Sequence, residues 1–247
     1  MFVDCHCHID SMQDPAGVIQ RAEDAGVCLM VNNGIGPKSN KASLKLAARH
    51  KSVKAALGLH PSDWLCKENP SDATIAKEIE FIRNHKKEIV AIGEVGLDYY
   101  WVKDEAQRAR QRDLFRRMIL LAEELKKPLI VHSRLAEKDC FSILQNRKVP
   151  VVMHCFTALE QIQLGFYYSI PAKVITSLSF QELAKKVRLS HMLTETDCPL
   201  LSPYTGRQNE PSFMPAAIQA IAQVRGLDPK ETEMAIFSNC QKLFLMS

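Results

Sequence analysis

The regular alternation of short apolar segments with amphipathic ones is the feature that most restricts the fold of this chain. Eight runs rich in β-branched residues recur along the 247 residues. The predicted strands are Phe2–His8, Val27–Asn33, Lys54–His60, Ile89–Val95, Leu129–Ser133, Val149–Phe156, Phe166–Ile170 and His191–Asp197. Strands that alternate with helices pair in parallel, because each helical crossover returns the chain to the same end of the sheet.

Helix signals fill most of the intervals between these predicted strands. The clearest lies in Glu105–Lys126, where apolar residues mark one helical face at Phe115, Met118, Ile119, Ala122 and Leu125. Asp14-Pro15 and Asp228-Pro229 each place a capping residue before a proline suited to the first helical turn. A doubly wound sheet is the competing architecture, but no G-x-G-x-x-G follows the first strand. We therefore predict an α/β fold, a (β/α)₈ TIM barrel, as a single domain over residues 1–247.

Bulk composition limits the functional classes without choosing one. Hydrophobic content of 46% and charged content of 24% are typical of globular proteins, and no apolar run approaches the roughly 18 residues of a membrane span. The N-terminus lacks a secretory signal pattern, and the eight cysteines form no C-x-x-C pair. We therefore expect an intracellular protein, cytoplasmic or nuclear, that is monomeric and away from membranes. The net charge of +4 permits a nucleic-acid partner but does not indicate one.

The first predicted strand carries an H-x-H pattern. Alternation along a strand points Asp4, His6 and His8 into the barrel and directs Cys5 and Cys7 toward the helices. The Cys-His-Cys-His run is therefore divided between two faces, which argues against a zinc finger. The two imidazoles, about 7 Å apart along the strand, are able to converge on one ion. An isolated H-x-H is nevertheless more often unrelated to metal binding.

Further polar residues occur near the carboxyl ends of four other predicted strands. They are Glu94, His132, His154 and Asp197. Chemistry in such barrels is placed at this end of the strands, so these side chains should meet His6 and His8 in a metal site. Four imidazoles and two carboxylates exceed what one zinc ion needs, which predicts two adjacent divalent cations with Glu94 between them. The residue types leave Mg²⁺, Mn²⁺ and Zn²⁺ open.

Ordered motifs along the whole chain strengthen this interpretation. They are DCHCHID (4–10), GLHP (58–61), AIGEVGLDYY (91–100), PLIVHSR (128–134), HCF (154–156), GFYYSIP (165–171), ETDCP (195–199) and NEP (209–211). With these motifs the chain resembles the TatD family of metal-dependent DNases, in particular its eukaryotic-type branch. The resemblance implies a (β/α)₈ barrel of the metallo-dependent hydrolase type. It also implies metal-dependent DNA hydrolysis, commonly as a 3′→5′ exonuclease.

The resemblance also assigns the metal ligands, residue by residue. They fall on the same six positions, His6, His8, Glu94, His132, His154 and Asp197. The chain departs from the family pattern at Leu135, where an acidic residue is usual, and at Thr157-Ala158, where Ser-Gly is usual. None of these positions is a ligand, so the departures bear on substrate fit and leave the predicted metal site intact.

A two-metal-activated hydroxide is the mechanism that this ligand set favours for phosphodiester hydrolysis. Asp197 is the candidate general base as well as a ligand, and Glu94 is the candidate bridge. Because the cations would acidify water and stabilise developing charge, no protein nucleophile is required. His60, before Pro61 at the end of the third strand, is predicted to contact the scissile phosphate; a solvated histidine at the barrel end is the alternative.

The expected substrate is single-stranded DNA, with RNA left open. Arg134 and Arg207 are candidate phosphate contacts, although loop arginines are often only solvated. Tyr99, Tyr100 and Trp101 follow the fourth strand, where they could stack a terminal base or pack a long loop. Tyr99 is taken as the candidate contact among the three.

Two other groups of charged residues require an interpretation. Asp4 and Glu195 point inward below the ligands, so we expect them to hydrogen-bond the ligand imidazoles or a polar group beneath them; a purely structural role is the alternative. Five arginines crowd the long helix, at Arg108, Arg110, Arg112, Arg116 and Arg117. We interpret them as mostly a solvated helix face.

Two alternative functions remain to be compared with DNA hydrolysis. A metallo-hydrolase of esters or amides, such as a D-aminoacyl-tRNA deacylase, would use the same barrel. Many enzymes of that group bridge their metals with a carboxylated lysine, whereas the fourth strand here offers Glu94, which favours phosphodiesters. A non-catalytic binding protein would be expected to have lost ligands, yet all six are present.

Overall fold

The computed structural model describes residues 1–245 and confirms the predicted parallel sheet. Its eight strands neighbour one another in chain order. They are β1 (Phe2–Cys7), β2 (Val27–Asn33), β3 (Val53–Leu57), β4 (Ile89–Asp98), β5 (Leu129–Arg134), β6 (Val151–Met153), β7 (Tyr167–Pro171) and β8 (Met192–Glu195). Beyond β8, the Asp197 N–H donates to the His6 carbonyl at 2.9 Å, and the His8 N–H donates to the Cys198 carbonyl at 2.9 Å. The sheet therefore closes on itself as a (β/α)₈ TIM barrel.

Eight α-helices surround the sheet within the described residues. They are α1 (Pro15–Asp24), α2 (Pro37–Arg49), α3 (Asp72–Asn84), α4 (Glu105–Leu125), α5 (Glu137–Leu144), α6 (Leu178–Lys186), α7 (Met214–Arg225) and α8 (Pro229–Phe244). Both predicted caps are present, because Asp14 accepts from the Gly17 N–H and Asp228 accepts from the Lys230 and Glu231 N–H groups. No described helix is long and apolar enough to cross a bilayer.

The predicted apolar face of α4 packs against the sheet. Phe115, Met118 and Ala122 are buried there among the side chains of the strands. Burial of such a face, at roughly 25 cal/mol per Å² of apolar surface, is the main force that holds a helix of a barrel against its sheet. The core therefore lies between the sheet and the helices, and the ends of the strands remain available for polar residues.

Every strand except β2 differs from the sequence expectation by one to three residues at one or both ends, and the differences at β4 and β6 bear most on the site. β4 continues to Asp98, three residues past the predicted end, because Leu97 and Asp98 pair with Ser133 and Arg134 of β5. β6 is shorter than predicted and ends at Met153, since the chain turns where Cys155 adopts a left-handed φ of 45°. These differences decide which polar residues lie within a strand and which lie just beyond it.

Candidate metal centre

The six predicted ligands meet at the carboxyl end of the barrel. Three lie within strands, His6 in β1, Glu94 in β4 and His132 in β5. The others follow directly after β1, β6 and β8, at His8, His154 and Asp197. Parallel strands of one barrel have their carboxyl ends at the same place, which brings the six side chains together. These side chains are largely shielded from solvent.

The carboxylate of Glu94 lies at the middle of this group. Its Oε2 atom is 3.5 Å from His6 Nε2 and 3.4 Å from His8 Nε2. Its Oε1 atom is 3.0 Å from His132 Nδ1 and 3.4 Å from His154 Nε2. The two oxygens of one carboxylate therefore face two different pairs of histidines.

Asp197 adds its carboxylate to the first pair. Its Oδ1 atom is 3.6 Å from Nε2 of both His6 and His8. The residue adopts a left-handed φ of 58°, a conformation that aspartate tolerates better than most residues, and the hydrogen bond to the His6 carbonyl holds it there. This backbone conformation turns the chain after β8 and directs the side chain toward β1.

Acceptors behind the rings set the orientation of His8 and His132. His8 Nδ1 is 2.8 Å from the carbonyl oxygen of Asn33, and His132 Nε2 is 3.0 Å from Asp98 Oδ2. Each acceptor offers only lone pairs, so in a neutral ring the adjacent nitrogen carries the proton. The opposite nitrogen of each ring then presents its lone pair toward Glu94, as a metal ligand must.

Glu195 orients the third ring from below. Its Oε2 atom lies 3.1 Å from His154 Nδ1 and also accepts from the Ser169 hydroxyl, while its Oε1 atom accepts from the Cys155 N–H at 2.8 Å. Glu195 thus occupies the supporting position predicted for it. Asp4 differs, because it accepts from the Thr196 N–H and hydroxyl and from the His6 N–H, and it contacts no imidazole.

His60 differs from the predicted ligand histidines in which ring nitrogen carries the proton. It caps a short π-helical turn, Pro61–Cys66, and its Nδ1 accepts from the N–H groups of Ser62 at 3.3 Å and Asp63 at 3.0 Å. Two N–H groups directed at Nδ1 leave no room for a proton there, although Asp63 Oδ2 also lies 3.3 Å away. The proton of a neutral ring is therefore on Nε2, which lies 3.3 Å from Glu94 Oε1 and acts as a donor.

The electrostatics of the centre favour cations. Burial raises the pKa of the Glu94 carboxyl, but the surrounding histidines, His60 first, hold that pKa well below its usual range. Burial lowers the pKa of His132, yet the carboxylates of Asp98 and Glu94 outweigh burial and raise it to about 10. Glu94 and Asp98 are therefore ionised, and their charge is available to a bound cation.

The residues present fit a divalent metal. Three groups of side chains have ligand atoms within 4.8 Å of one another, namely His6–Glu94–His154, His6–His8–Asp197 and His60–Glu94–His132. Imidazole and carboxylate are the ligands that Zn²⁺ and Mn²⁺ favour. His6 Nε2 faces both carboxylates and is the candidate ligand atom of that ring, whereas its Nδ1 is buried without a hydrogen-bond partner among the described residues. The orientation of the rings and the chemistry of the ligand atoms are therefore both suited to a divalent metal ion.

Asp98 is a residue of the site that sequence reasoning did not identify. One carboxylate oxygen accepts from His132, and the other accepts from the Trp101 N–H at 2.9 Å. The available signal was the position of this aspartate in the GLDYY motif, at the carboxyl end of a strand. It was missed because β4 was expected to end at Val95.

The other predicted substrate contacts differ in how far their side chains are engaged with neighbours. Tyr99 is half-buried, and its hydroxyl donates to Asp139 Oδ2 at 2.6 Å and accepts from Arg112 at 3.0 Å. Arg134 is exposed, and its guanidinium has no hydrogen-bond or acidic partner within the part of the chain that the structure describes. Arg207 is exposed too, but it lies 3.9 Å from the Glu210 carboxylate. Of these two arginines, Arg134 therefore has the less compensated charge.

Two of the five arginines of α4, Arg108 and Arg112, are more engaged than a solvated face would be. Arg108 donates to the carbonyl oxygens of Val102 and Tyr99, and its guanidinium lies 4.5 Å from the centre of the Tyr99 ring. Arg112 pairs with Glu105 as well as with Tyr99. These side chains tie α4 to the loop that precedes it, so they are not a free basic surface.

Comparisons with known proteins agree with this geometry. A sequence model described as TatD related DNase matches residues 3–245. An uncharacterised metal-dependent hydrolase of Methanocaldococcus jannaschii is 34% identical, over 98% of this chain and 96% of the relative. The human deoxyribonuclease TATDN3 is 33% identical, over 98% of this chain and 94% of the relative. The crystal structure of a TatD homologue from Escherichia coli superposes with a TM-score of 0.88 at 27% identity, covering 98% and 97% of the two chains.

Proposed function

This chain belongs to the TatD-related DNase family of metal-dependent hydrolases, and on that premise we propose that it hydrolyses single-stranded DNA from the 3′ end. The observation that carries the proposal is the Glu94 carboxylate, whose two oxygens face two separate pairs of histidines. A carboxylate placed in this way is suited to join two cations. A pair of adjacent cations is a recurrent arrangement for phosphodiester hydrolysis.

In this proposal one cation would be held by His6, His8, Asp197 and Glu94, and the other by His132, His154 and Glu94. Bound divalent cations supply positive charge that acidifies water and neutralises the charge developing on the phosphate. In His8, His132 and His154, the ring nitrogen that faces away from Glu94 is hydrogen-bonded to an acceptor. The other nitrogen of each ring is therefore free to bind a cation. The identity of the cations is left to experiment.

Asp197 is the proposed general base. Its Oδ1 atom lies beside His6 and His8, and the side chain is 12% exposed, so water reaches this carboxylate from the open end of the barrel. The neighbouring histidines hold the pKa of Asp197 below its usual value, against the effect of burial, so the carboxylate is ionised and able to accept a proton.

His60 and Arg134 are the proposed phosphate contacts. The Nε2–H of His60 is directed at the centre, where a phosphate oxygen can replace Glu94 Oε1 as its acceptor. Arg134 offers an uncompensated guanidinium at the end of β5, two residues after the ligand His132. Together they place one neutral donor and one positive charge around the substrate, which suits a phosphodiester.

Digestion from a strand end is supported by the depth of the centre. The side chain of Glu94 is only 4% exposed, and that of His154 is 5% exposed. A rigid duplex brings its phosphates to such a buried site less readily than a flexible single strand does. The family resemblance supplies the expected 3′→5′ direction.

The test uses the full chain, stripped of metal with a chelator and given a single-stranded oligonucleotide labelled at its 3′ end. Mg²⁺, Mn²⁺ or Zn²⁺ is added back in separate reactions. We expect release of labelled mononucleotide with at least one cation, and loss of that release in Glu94→Gln. Glu160→Gln is the matched control, because the side chain of Glu160 is 91% exposed and paired only with Lys186.

Two results would contradict the proposal. Intact DNA in every reaction, with cation binding established, would exclude phosphodiester hydrolysis and direct attention to D-aminoacyl-tRNA and small esters. Release of labelled oligonucleotides before labelled mononucleotide would exclude digestion from the 3′ end while leaving the nuclease assignment in place.

A further inference from the structure

We propose that Trp101, together with Tyr100 and Arg134, forms a platform on which an unpaired base of the substrate stacks, an inference that rests on the proposed nuclease function. These three residues are called the rim platform. They lie at the carboxyl ends of β4 and β5, on the same end of the barrel as the metal centre. The platform would make the enzyme prefer strand ends whose bases are free of a pairing partner.

Exposure is the first observation. The Trp101 side chain is 67% exposed and Tyr100 is 42% exposed, whereas Trp64, the only other tryptophan, is 3% exposed. Large aromatic side chains are usually covered in a folded protein, because their burial contributes strongly to stability. Two adjacent exposed aromatic residues beside a candidate active site therefore indicate a surface that meets a ligand.

The arrangement of the rings favours the indole as the surface that receives the base. Tyr100 and Trp101 meet edge to face, with their centroids 4.8 Å apart and their planes at 85°. Arg134 lies 4.0 Å and Lys103 lies 5.6 Å from the Tyr100 centroid, so the tyrosine ring already has cationic partners. Arg134 is farther from the Trp101 ring, at 5.7 Å, which leaves indole surface open.

Position along the strands connects the rim platform to the metal centre. Arg134 follows His132 by two residues in β5, so the two side chains lie on one face of the strand, roughly 7 Å apart along it. Arg134 is also paired in register with Asp98 of β4, and its carbonyl accepts from the Tyr99 N–H at 2.9 Å. Arg134 therefore belongs to the strand of a proposed metal ligand, and its guanidinium lies against the exposed rings.

Asp98 fixes the two sites relative to each other. Its Oδ1 atom holds the backbone of Trp101 at 2.9 Å, and its Oδ2 atom holds the ring of His132 at 3.0 Å. The carboxylate that orients a proposed metal ligand would therefore also position Trp101, and with it a base stacked on the indole. Two hydrogen bonds of one side chain thus connect the metal centre to the rim platform. They fix the two sites relative to each other more firmly than the proximity of two loops alone would.

A binding measurement tests the platform without any turnover. The metal-loaded full chain is titrated with a phosphorothioate oligothymidylate, which resists cleavage, while tryptophan fluorescence is recorded. We expect quenching that saturates, since Trp64 is buried and Trp101 is the accessible indole. A phosphorothioate oligomer of the same length, made of abasic tetrahydrofuran residues, should leave the fluorescence unchanged. Equal quenching by the two oligomers would overturn the proposal.

Kinetics then separate recognition from structure. Trp101→Ala should lower kcat/KM on single-stranded DNA about tenfold, mainly through KM, because one stacking contact is lost. Trp101→Phe should retain most of the activity. On DNA whose terminal nucleosides are abasic, Trp101→Ala and the wild type should be equal. Leu178→Ala is the matched control, since this leucine is 78% exposed and lies in α6, after β7, whereas the rim platform lies at the ends of β4 and β5.

The outcomes distinguish the platform from the proposed function. If the wild type quenches but leaves DNA uncut, the nuclease assignment fails while the base-binding surface stands. If the wild type cuts DNA, shows no quenching and is matched by Trp101→Ala, the platform alone is excluded. An equal loss on natural and abasic DNA would assign Trp101 a structural role and would likewise exclude the platform.

Discussion

The Asp98 carboxylate lies 3.0 Å from His132 Nε2 and leaves Nδ1 of that ring facing Glu94, also at 3.0 Å. This contact fixes which nitrogen of His132 is available to a metal. Through its second oxygen the same carboxylate holds the loop at Trp101. Asp98 is thus a positioning residue that serves both the metal centre and the surface beside it.

Asp98→Asn should weaken metal binding without abolishing it. The amide removes the negative charge that supports His132, and loss of such a contact typically lowers metal affinity about 10- to 100-fold. Affinity is measured by competition with a fluorescent zinc chelator. Asp4→Asn is the matched control, because Asp4 is equally buried but contacts only Thr196 and the His6 N–H. Equal affinities in the two variants would show that Asp98 does not support the ligand.

Glu94→Gln should change the number of bound cations as well as their affinity. Glutamine keeps the size of the side chain but replaces one of the two oxygens that face the histidine pairs. We expect two cations per wild-type chain and fewer in the variant, with activity reduced at least about 100-fold. Metal analysis after equilibrium dialysis measures the number. A wild-type protein that saturates with one cation would contradict the bridging role of Glu94.

Gly96 is expected to be intolerant of a side chain. Its φ is 138°, and a Cβ atom there would lie 2.0 Å from the carbonyl oxygen of His132. Gly96→Ala should therefore destabilise the fold by several kcal/mol and lower metal affinity, because the ligand strand must shift. Gly226→Ala is the control, since its φ is 63° but open space surrounds it, so only about 1 kcal/mol is expected. Urea unfolding compares the two; equal losses would exclude the clash.

Much of the barrel, and the grouping of the six predicted ligands at one end of it, could be predicted because both depend on local patterns. Strand and helix periodicity predicted all eight strands, alternation within β1 placed His6 inside the barrel, and position near the carboxyl end of β4 singled out Glu94. Parallel strands of a barrel share one carboxyl end, so ligands distant in the sequence could be grouped. The family motifs then identified the same six positions.

The remaining features depend on register and on backbone turns that the pattern does not encode. Asp98 reaches His132 because β4 and β5 pair beyond the apolar segment. The proton position on His60 depends on the turn after Pro61, whose N–H groups point back at the ring. Asp4 and Glu195 have the same parity, yet only Glu195 has an imidazole within reach. Differences of this kind between side-chain contacts are visible only in the three-dimensional structure.

The donor role of His60 gives a prediction that separates it from the metal ligands. Its Nδ1 accepts two backbone hydrogen bonds, so Nε2 carries the proton and is not free to bind a cation. His60→Ala should therefore keep the full number of bound cations and lower kcat about 100-fold, the usual effect of losing one donor to the developing charge. His154→Ala is the comparison, and it should lose a cation. Loss of a cation in His60→Ala would instead make His60 a ligand, through the group it forms with Glu94 and His132.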